Sequence, residues 1–159
     1  MPGACIDGRQ AIRTFAEHEH EELTAGIGRI HKLSEELATM PVDQRTASIH
    51  KVLHWVEADL KPHIAWEEHW LFPLIDDRIH TSWATRYARF DHQQITAQAE
   101  RLHAHSAAGS HFPSRDAVAL IADLSGLEVL LRATVEREER FLLPLLESDA
   151  EGWEPEWRD

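Results

Sequence analysis

The residues in this chain best suited to chemistry are His63 and Glu67, four positions apart in the stretch His63-Ile64-Ala65-Trp66-Glu67-Glu68-His69-Trp70-Leu71-Phe72-Pro73-Leu74. On a helix they point roughly 40° apart. Ile49, Val52, Leu53, Val56, Leu60, Leu71 and Leu74 project within about 60° of the same direction, so the pair faces a core. An unpaired buried carboxylate is strongly unfavourable and must be neutralised, hydrogen-bonded or bound to a cation. Metal ligation is the sharpest reading of the pair; a core His–Glu hydrogen bond is the plainer one.

Composition narrows the metal. Cys5 is the only cysteine, which rules out an internal disulfide and a thiolate-rich site. The strong donors left are His, Asp, Glu and Tyr, a set that favours hard or borderline ions. A formal charge of −12 argues against nucleic acid, which needs clustered positive charge. The chain has 159 residues, 43% of them hydrophobic, enough for one core. One domain is expected over residues 1–148, with an irregular acidic tail, residues 149–159, carrying Trp153 and Trp157. No apolar run approaches about 18 residues, so no membrane span is expected. Met1 to Asp7 lacks the charged and apolar regions of a secretion signal, which makes the cytoplasm the expected compartment.

Four helices must position these side chains. The first should start after Asp7 as a cap and run to about Ala38, ahead of Met40-Pro41, with Gly26 and Gly28 marking close approach of a neighbour. Asp43 should cap the second, which runs to about Ile75 and kinks at Pro62, just before His63. The third fits Ser82 to about His105, capped by Thr81 or Ser82. Residues 106–114 read as a linker, and Ser114 should cap a fourth helix running from about Arg115 to Ser148.

Set side by side, the helices repeat. His20 is followed by Leu23, Ile27, Ile30 and His31, and His92 by Ile95, Ala99, Leu102 and His103 at the same offsets. His63, Glu67, Glu68, Leu71 and Pro73 align with Thr134, Glu138, Glu139, Leu142 and Pro144. Two helix pairs related by a pseudo-twofold can thus bring donors from four helices to one interior point.

These residues resemble the hemerythrin-like, or HHE cation-binding, domain family over roughly residues 10–148. The resemblance implies an all-α, up-down-up-down four-helix bundle around an oxo- or hydroxo-bridged di-iron centre. It assigns His20 and His63 to one metal, His92 to the other, and Glu67 and Glu138 as bridges. It also implies binding of, or reaction with, a small ligand such as O2, NO or peroxide.

One position departs from the family pattern: the helix-four histidine is replaced by Thr134. By its angle Thr134 faces inward with Leu127, Leu131 and Leu145, and a hydroxyl binds iron or zinc poorly. Tyr87, Asp91, Glu17 or a water could fill the place. The outcome could be a di-metal site with an extra open position, an asymmetric site or a single metal. A metal-free or single-metal helical scaffold with a degenerate site is the alternative function.

The other histidines read differently. His54 and His69 point away from the apolar stripe, and the His50/His54 pair is read as a solvated face. His31 and His103 share the core direction about 16 Å from His20 and His92, in half-buried capping roles. Trp66, Trp70 and Phe72 read as packing or pocket walls, and Glu68 and Glu139 as outer supports of the ligands or surface residues.

Overall fold

The structure, a computed structural model, describes residues 8–108 and 113–147, and within them all side chains but those of 108 and 113–116. The Asp7 cap, the middle of the linker and the tail with its two tryptophans lie outside the described residues; Ser114 does not cap the fourth helix, which is already helical at Pro113. Helix α1 is Gly8–Glu36, continued by a 3-10 turn, Leu37–Thr39. Helix α2 (42–79) joins three α-segments, Val42–Trp55, Lys61–Trp66 and Phe72–Ile79, through π turns at Val56–Leu60 and Glu67–Leu71. Helix α3 is Trp83–Ala108. Helix α4 (113–146) runs as α-helix over Pro113–Arg137, π turn over Glu138–Leu142 and 3-10 turn over Leu143–Leu146. Among the described residues there is no strand, and no helix is long and apolar enough to cross a membrane.

Each π turn ends two residues before a proline: Pro62, Pro73 and Pro144. A proline has no N–H, and its ring crowds the carbonyl four residues back. Widening the preceding turn relieves the crowding. The amides of Lys61, Phe72 and Leu143 then reach back five residues, to the carbonyls of Val56, Glu67 and Glu138. The irregularity expected ahead of His63 takes this form. The wider turn also shifts the helix phase, so Phe72 and Ile75 are fully buried while Leu74 is only half-buried.

The connections follow local chemistry. Met40 is extended (φ −78°, ψ 140°), as the residue before Pro41 should be. The Arg45 guanidinium holds this corner, with Nε donating to the Met40 carbonyl (2.7 Å) and Nη2 to that of Ala38 (3.0 Å). Asp43 does not cap α2: Pro41 occupies the cap position, and Asp43 falls within the first turn. His80 ends the helix in the left-handed region (φ 55°). Thr81 supplies the expected cap of α3, its Oγ1 accepting the Trp83 amide at 3.3 Å.

The burial pattern gives the topology. One apolar cluster contains Leu23 to Leu33, Ile49 to Leu60, Ile95 to Leu102 and Leu120 to Val135; a second contains Ala16, Leu71 to Ile75, Ala88 and Leu142 to Leu146. Going along the chain, α1 passes from the second cluster to the first, α2 returns, α3 passes again and α4 returns. That is an up-down-up-down bundle. Where each helix crosses between clusters it carries the buried polar residues His20, His63 with Glu67, His92, and Thr134 with Glu138. A layer of buried histidines and glutamates therefore lies between two mainly apolar ones, which hold the buried polar residues Gln98 and Asp123, hydrogen-bonded to each other, and Thr85, bonded to Asp76.

The pseudo-twofold extends to packing. A Cβ at Gly26 would lie 2.4 Å from the Trp55 ring, whereas nothing is within 4 Å of one at Gly28. At the matching positions of the second pair, Gln98 is the large partner and Gly126 the small one, its added Cβ meeting Gln98 Nε2 at 2.9 Å. Large and small have exchanged helices while the close approach is kept.

Candidate metal centre

Glu67 and Glu138 are 0% and 2% exposed, so neither carboxylate can be solvated. Three imidazoles surround them. Glu67 Oε1 lies 3.3 Å from Nε2 of both His20 and His63, and its Oε2 lies 3.1 Å from His92 Nε2. Glu138 spans the same space from α4, with Oε2 3.5 Å from His20 Nε2 and Oε1 3.4 Å from His92 Nε2. Each carboxylate thus turns one oxygen to the α1 histidine and the other to the α3 histidine.

Two sets of three donors result, with the atoms of each set within 4.8 Å of one another: His20, His63 and Glu67, and Glu67, His92 and Glu138. The sets share Glu67. The structure brings together all five residues that the sequence singles out, each presenting the atom a cation would need.

A further ring of carboxylates stands outside the histidines. Glu68 Oε1 lies 3.0 Å from His92 Nδ1, Glu139 Oε1 lies 3.3 Å from His20 Nδ1, and Glu19 Oε2 lies 3.7 Å from His63 Nδ1. Glu68 and Glu139 are pseudo-twofold mates, and each reaches a histidine of the other helix pair. Of the three contacts only Glu68 to His92 is a hydrogen bond; Nδ1 of His20 and of His63 is buried without one. A carboxylate bonded at Nδ1, as at His92, favours the tautomer with its proton there, which turns the Nε2 lone pair inward. Inward lone pairs would face carboxylate oxygens with nothing between them. Either the imidazoles carry a second proton or a cation occupies the space.

The titration shifts describe the protonated alternative. Burial pushes the Glu67 carboxyl up, but His20, His63 and His92 more than reverse this and hold it well below the ordinary value. Burial, then the Glu67 charge, pushes Glu138 up to about 6 despite His92. Burial lowers His92, while Glu138 and Glu67 overcompensate and raise it to about 10. His20 is raised in the same way, mainly by Glu67. Positive charge is needed here, and protons supply it imperfectly: Glu67 Oε2, Glu138 Oε1 and Thr134 Oγ1 are buried without a hydrogen-bond partner. Two carboxylates, three imidazoles and orphaned oxygens fit a borderline cation such as iron.

Thr134 is buried in the layer, and none of the three suggested substitutes enters it. Tyr87 is 60% exposed and stands edge-on to Trp83. Glu17 pairs with Arg13 at 2.8 Å, and Asp91 with Arg137 at 2.6 Å. The remaining histidines stay outside the centre. His31 and His103 are exposed rather than half-buried, His31 facing Glu128 at 3.0 Å. His50, His54 and His69 are also exposed, and His69 Nδ1 donates to the Ala65 carbonyl at 2.7 Å. Phe72 is a wall of the centre, stacked on His92 with centroids 5.3 Å apart.

The part played by Glu19 does not follow from helical projection. A signal does exist in the repeat: an acid directly precedes each first-helix histidine, as Glu19-His20 and Asp91-His92. In the first pair that acid reaches His63. In the second its counterpart would reach residue 134, a threonine, and Asp91 takes Arg137 instead.

Among known families, the model of the hemerythrin HHE cation binding domain matches residues 12–146. No curated protein and no solved structure matches the chain.

Proposed function

The chain belongs to the hemerythrin HHE cation-binding domain family, and from that premise we propose that it is a non-haem di-iron protein that binds or reacts with a small ligand such as O2, NO or peroxide. The carrying observation is that Glu67 and Glu138 each turn one oxygen to the α1 histidine and the other to the α3 histidine in a buried layer. In this reading His20 and His63 would hold one ion and His92 the other, with Glu67 and Glu138 as the carboxylates shared between them, Glu138 the more weakly towards His20. Glu68, hydrogen-bonded to His92 Nδ1, fixes that ring's tautomer so that its lone pair points inward, while Glu139 and Glu19 place negative charge beside Nδ1 of His20 and His63. Thr134 adds no strong donor, which leaves the second ion a place for an exogenous ligand. Bound iron supplies the change of oxidation state and the open position that such ligands require. The apolar clusters above and below keep bulk water out, which strengthens electrostatic interactions within the layer.

The test is metal analysis of protein purified without chelator, together with its absorption spectrum. The expected result is near two irons per chain with oxo-to-iron charge-transfer bands. Metal-free protein of equal stability would contradict it.

The asymmetry of the two donor sets favours one second reading, a single ion held by His20, His63 and Glu67. It predicts one metal per chain and a large fall in melting temperature with chelator.

A further inference from the structure

In the first helix pair Phe15 rests edge-on against Trp66, centroids 4.8 Å apart. The cavity of that pair, about 590 Å³, is bounded by these rings and reaches His63 and Pro62, not Glu67. The pseudo-twofold mates of these residues are Tyr87 and Arg137. The Arg137 guanidinium turns to Asp91, with Nη2 at 2.6 Å and Nε at 3.0 Å from Oδ2. What remains is a cavity of about 410 Å³ between α3 and α4, within the range of small-molecule sites.

Its walls are Ile79, Trp83, Tyr87, Phe141, Leu142 and Leu145, and Glu138 of the centre also lines it. Trp83, Tyr87 and Phe141 are each more than half exposed around this one opening, a concentration of aromatic surface that marks binding sites. The charges are already matched. Asp91 and Arg137 neutralise each other, and the Glu138 carboxylate is directed to His20 and His92. An ionic occupant would have to break one of these pairings, whereas a neutral ring meets the side chains of Trp83, Tyr87 and Phe141 and aliphatic walls.

We propose that this cavity binds a small neutral aromatic molecule and places it against Glu138, on the side of the centre where Thr134 replaces an imidazole. The consequence for the metal rests on the function proposed above; the binding itself does not.

The test titrates β-naphthol, neutral near pH 7, and β-naphthoate, the same rings with a charge, into the full chain by calorimetry, both iron-loaded and chelated. The expected result is one β-naphthol site per chain in both forms, with β-naphthoate at least about tenfold weaker. Arg137→Trp, which restores the first pair's residue, and Ala84→Phe, which narrows the cavity, should each weaken β-naphthol by about tenfold or more with helix content unchanged. Saturation should alter the iron absorption bands. Equal or tighter binding of β-naphthoate overturns the proposal, as does β-naphthol binding that neither variant affects. A dimer in sedimentation that Arg137→Trp abolishes would assign the face to a second copy of the chain instead. If iron does not load but β-naphthol binds, the di-iron reading fails and the cavity stands. If iron loads and its bands ignore β-naphthol, the placement against Glu138 is wrong.

Discussion

The two helix pairs are built to one plan and differ at the residues that would touch a ligand. In the pair α1 and α2, His63 stands inside with Glu19 3.7 Å from its Nδ1, and Phe15 packs on Trp66 beside a cavity that reaches His63. In the pair α3 and α4, Thr134 takes the histidine's place, Asp91 pairs with Arg137, and the cavity reaches Glu138. The π turns, the following prolines, the central glutamates and the crossing contacts of Glu68 and Glu139 are common to both. The shared parts build a charged layer inside a dry bundle, and the unshared parts decide access to it. Two changes, His63 to Thr134 and Trp66 to Arg137, form one physical unit: without an imidazole at 134 the acid at 91 is free for an arginine, and that arginine leaves space a tryptophan would fill.

The largest test of the comparison removes a shared part. Glu67 serves both donor sets and Glu138 only one. Glu67→Gln is therefore expected to reduce bound iron to background, while Glu138→Gln keeps about one ion per chain, read by metal analysis. Equal losses would mean that the sets are not distinct.

Next in size is restoration of the missing donor. Thr134→His is expected to raise affinity for the second ion by about tenfold or more, read by anaerobic titration. An unchanged isotherm and spectrum would mean that residue 134 does not face the second ion.

The outer carboxylates sharpen the contrast at lower cost. Glu68→Gln should weaken metal binding about 10–100-fold through His92, and Glu139→Gln, whose half-exposed carboxylate does not hydrogen-bond His20, by less than about tenfold. Asp91→Asn should leave it unchanged, because its histidine is absent, and should cost no more than about 1 kcal/mol of stability from the partly exposed pair with Arg137.

The smallest effect is the pH response of chelated protein. His92 holds its proton up to about 10 in the fold against an ordinary 6.5, so its stabilisation is complete below 6.5 and lost as pH rises through about 10. Glu138, raised from 4.5 to about 6, loses its contribution over that lower interval. Glu67, lowered, loses its contribution only as pH falls through its depressed value. Melting temperature of the metal-free chain should fall between pH 6.5 and 10, and iron-loaded protein should show a flatter profile, since ligated imidazoles have no second proton to lose. A flat profile for the chelated chain would mean that the imidazoles do not carry the extra protons.

Much of this was legible in the sequence because helical period and pseudo-repeat are both properties of a single strand of text. The four helices and the inward direction of His20, His63, Glu67, His92, Thr134 and Glu138 follow from angles and offsets, whereas the up-down-up-down order and the proposed ligand roles came with the family resemblance. The π turns did not, since their consequence, burial of Phe72 and Ile75 in place of Leu74, depends on how a proline strains a packed helix. Nor did the cross-helix supports. Glu19 and Glu68 sit off the apolar stripe, and only the packing of α1 on α2 and α2 on α3 brings them to His63 and His92. His31 and His103 mark the converse limit: a shared projection angle does not bury a residue near the end of a bundle, where neighbouring helices no longer cover it.

The account's central claim is an asymmetric pair of metal sites bridged by Glu67. The most direct measurement is anaerobic calorimetric titration of chelated protein with Fe(II). Two binding events of unequal affinity, at least about tenfold apart and merging in Thr134→His, are predicted. Two equal events in the unsubstituted chain, or one event that Thr134→His does not alter, would contradict it.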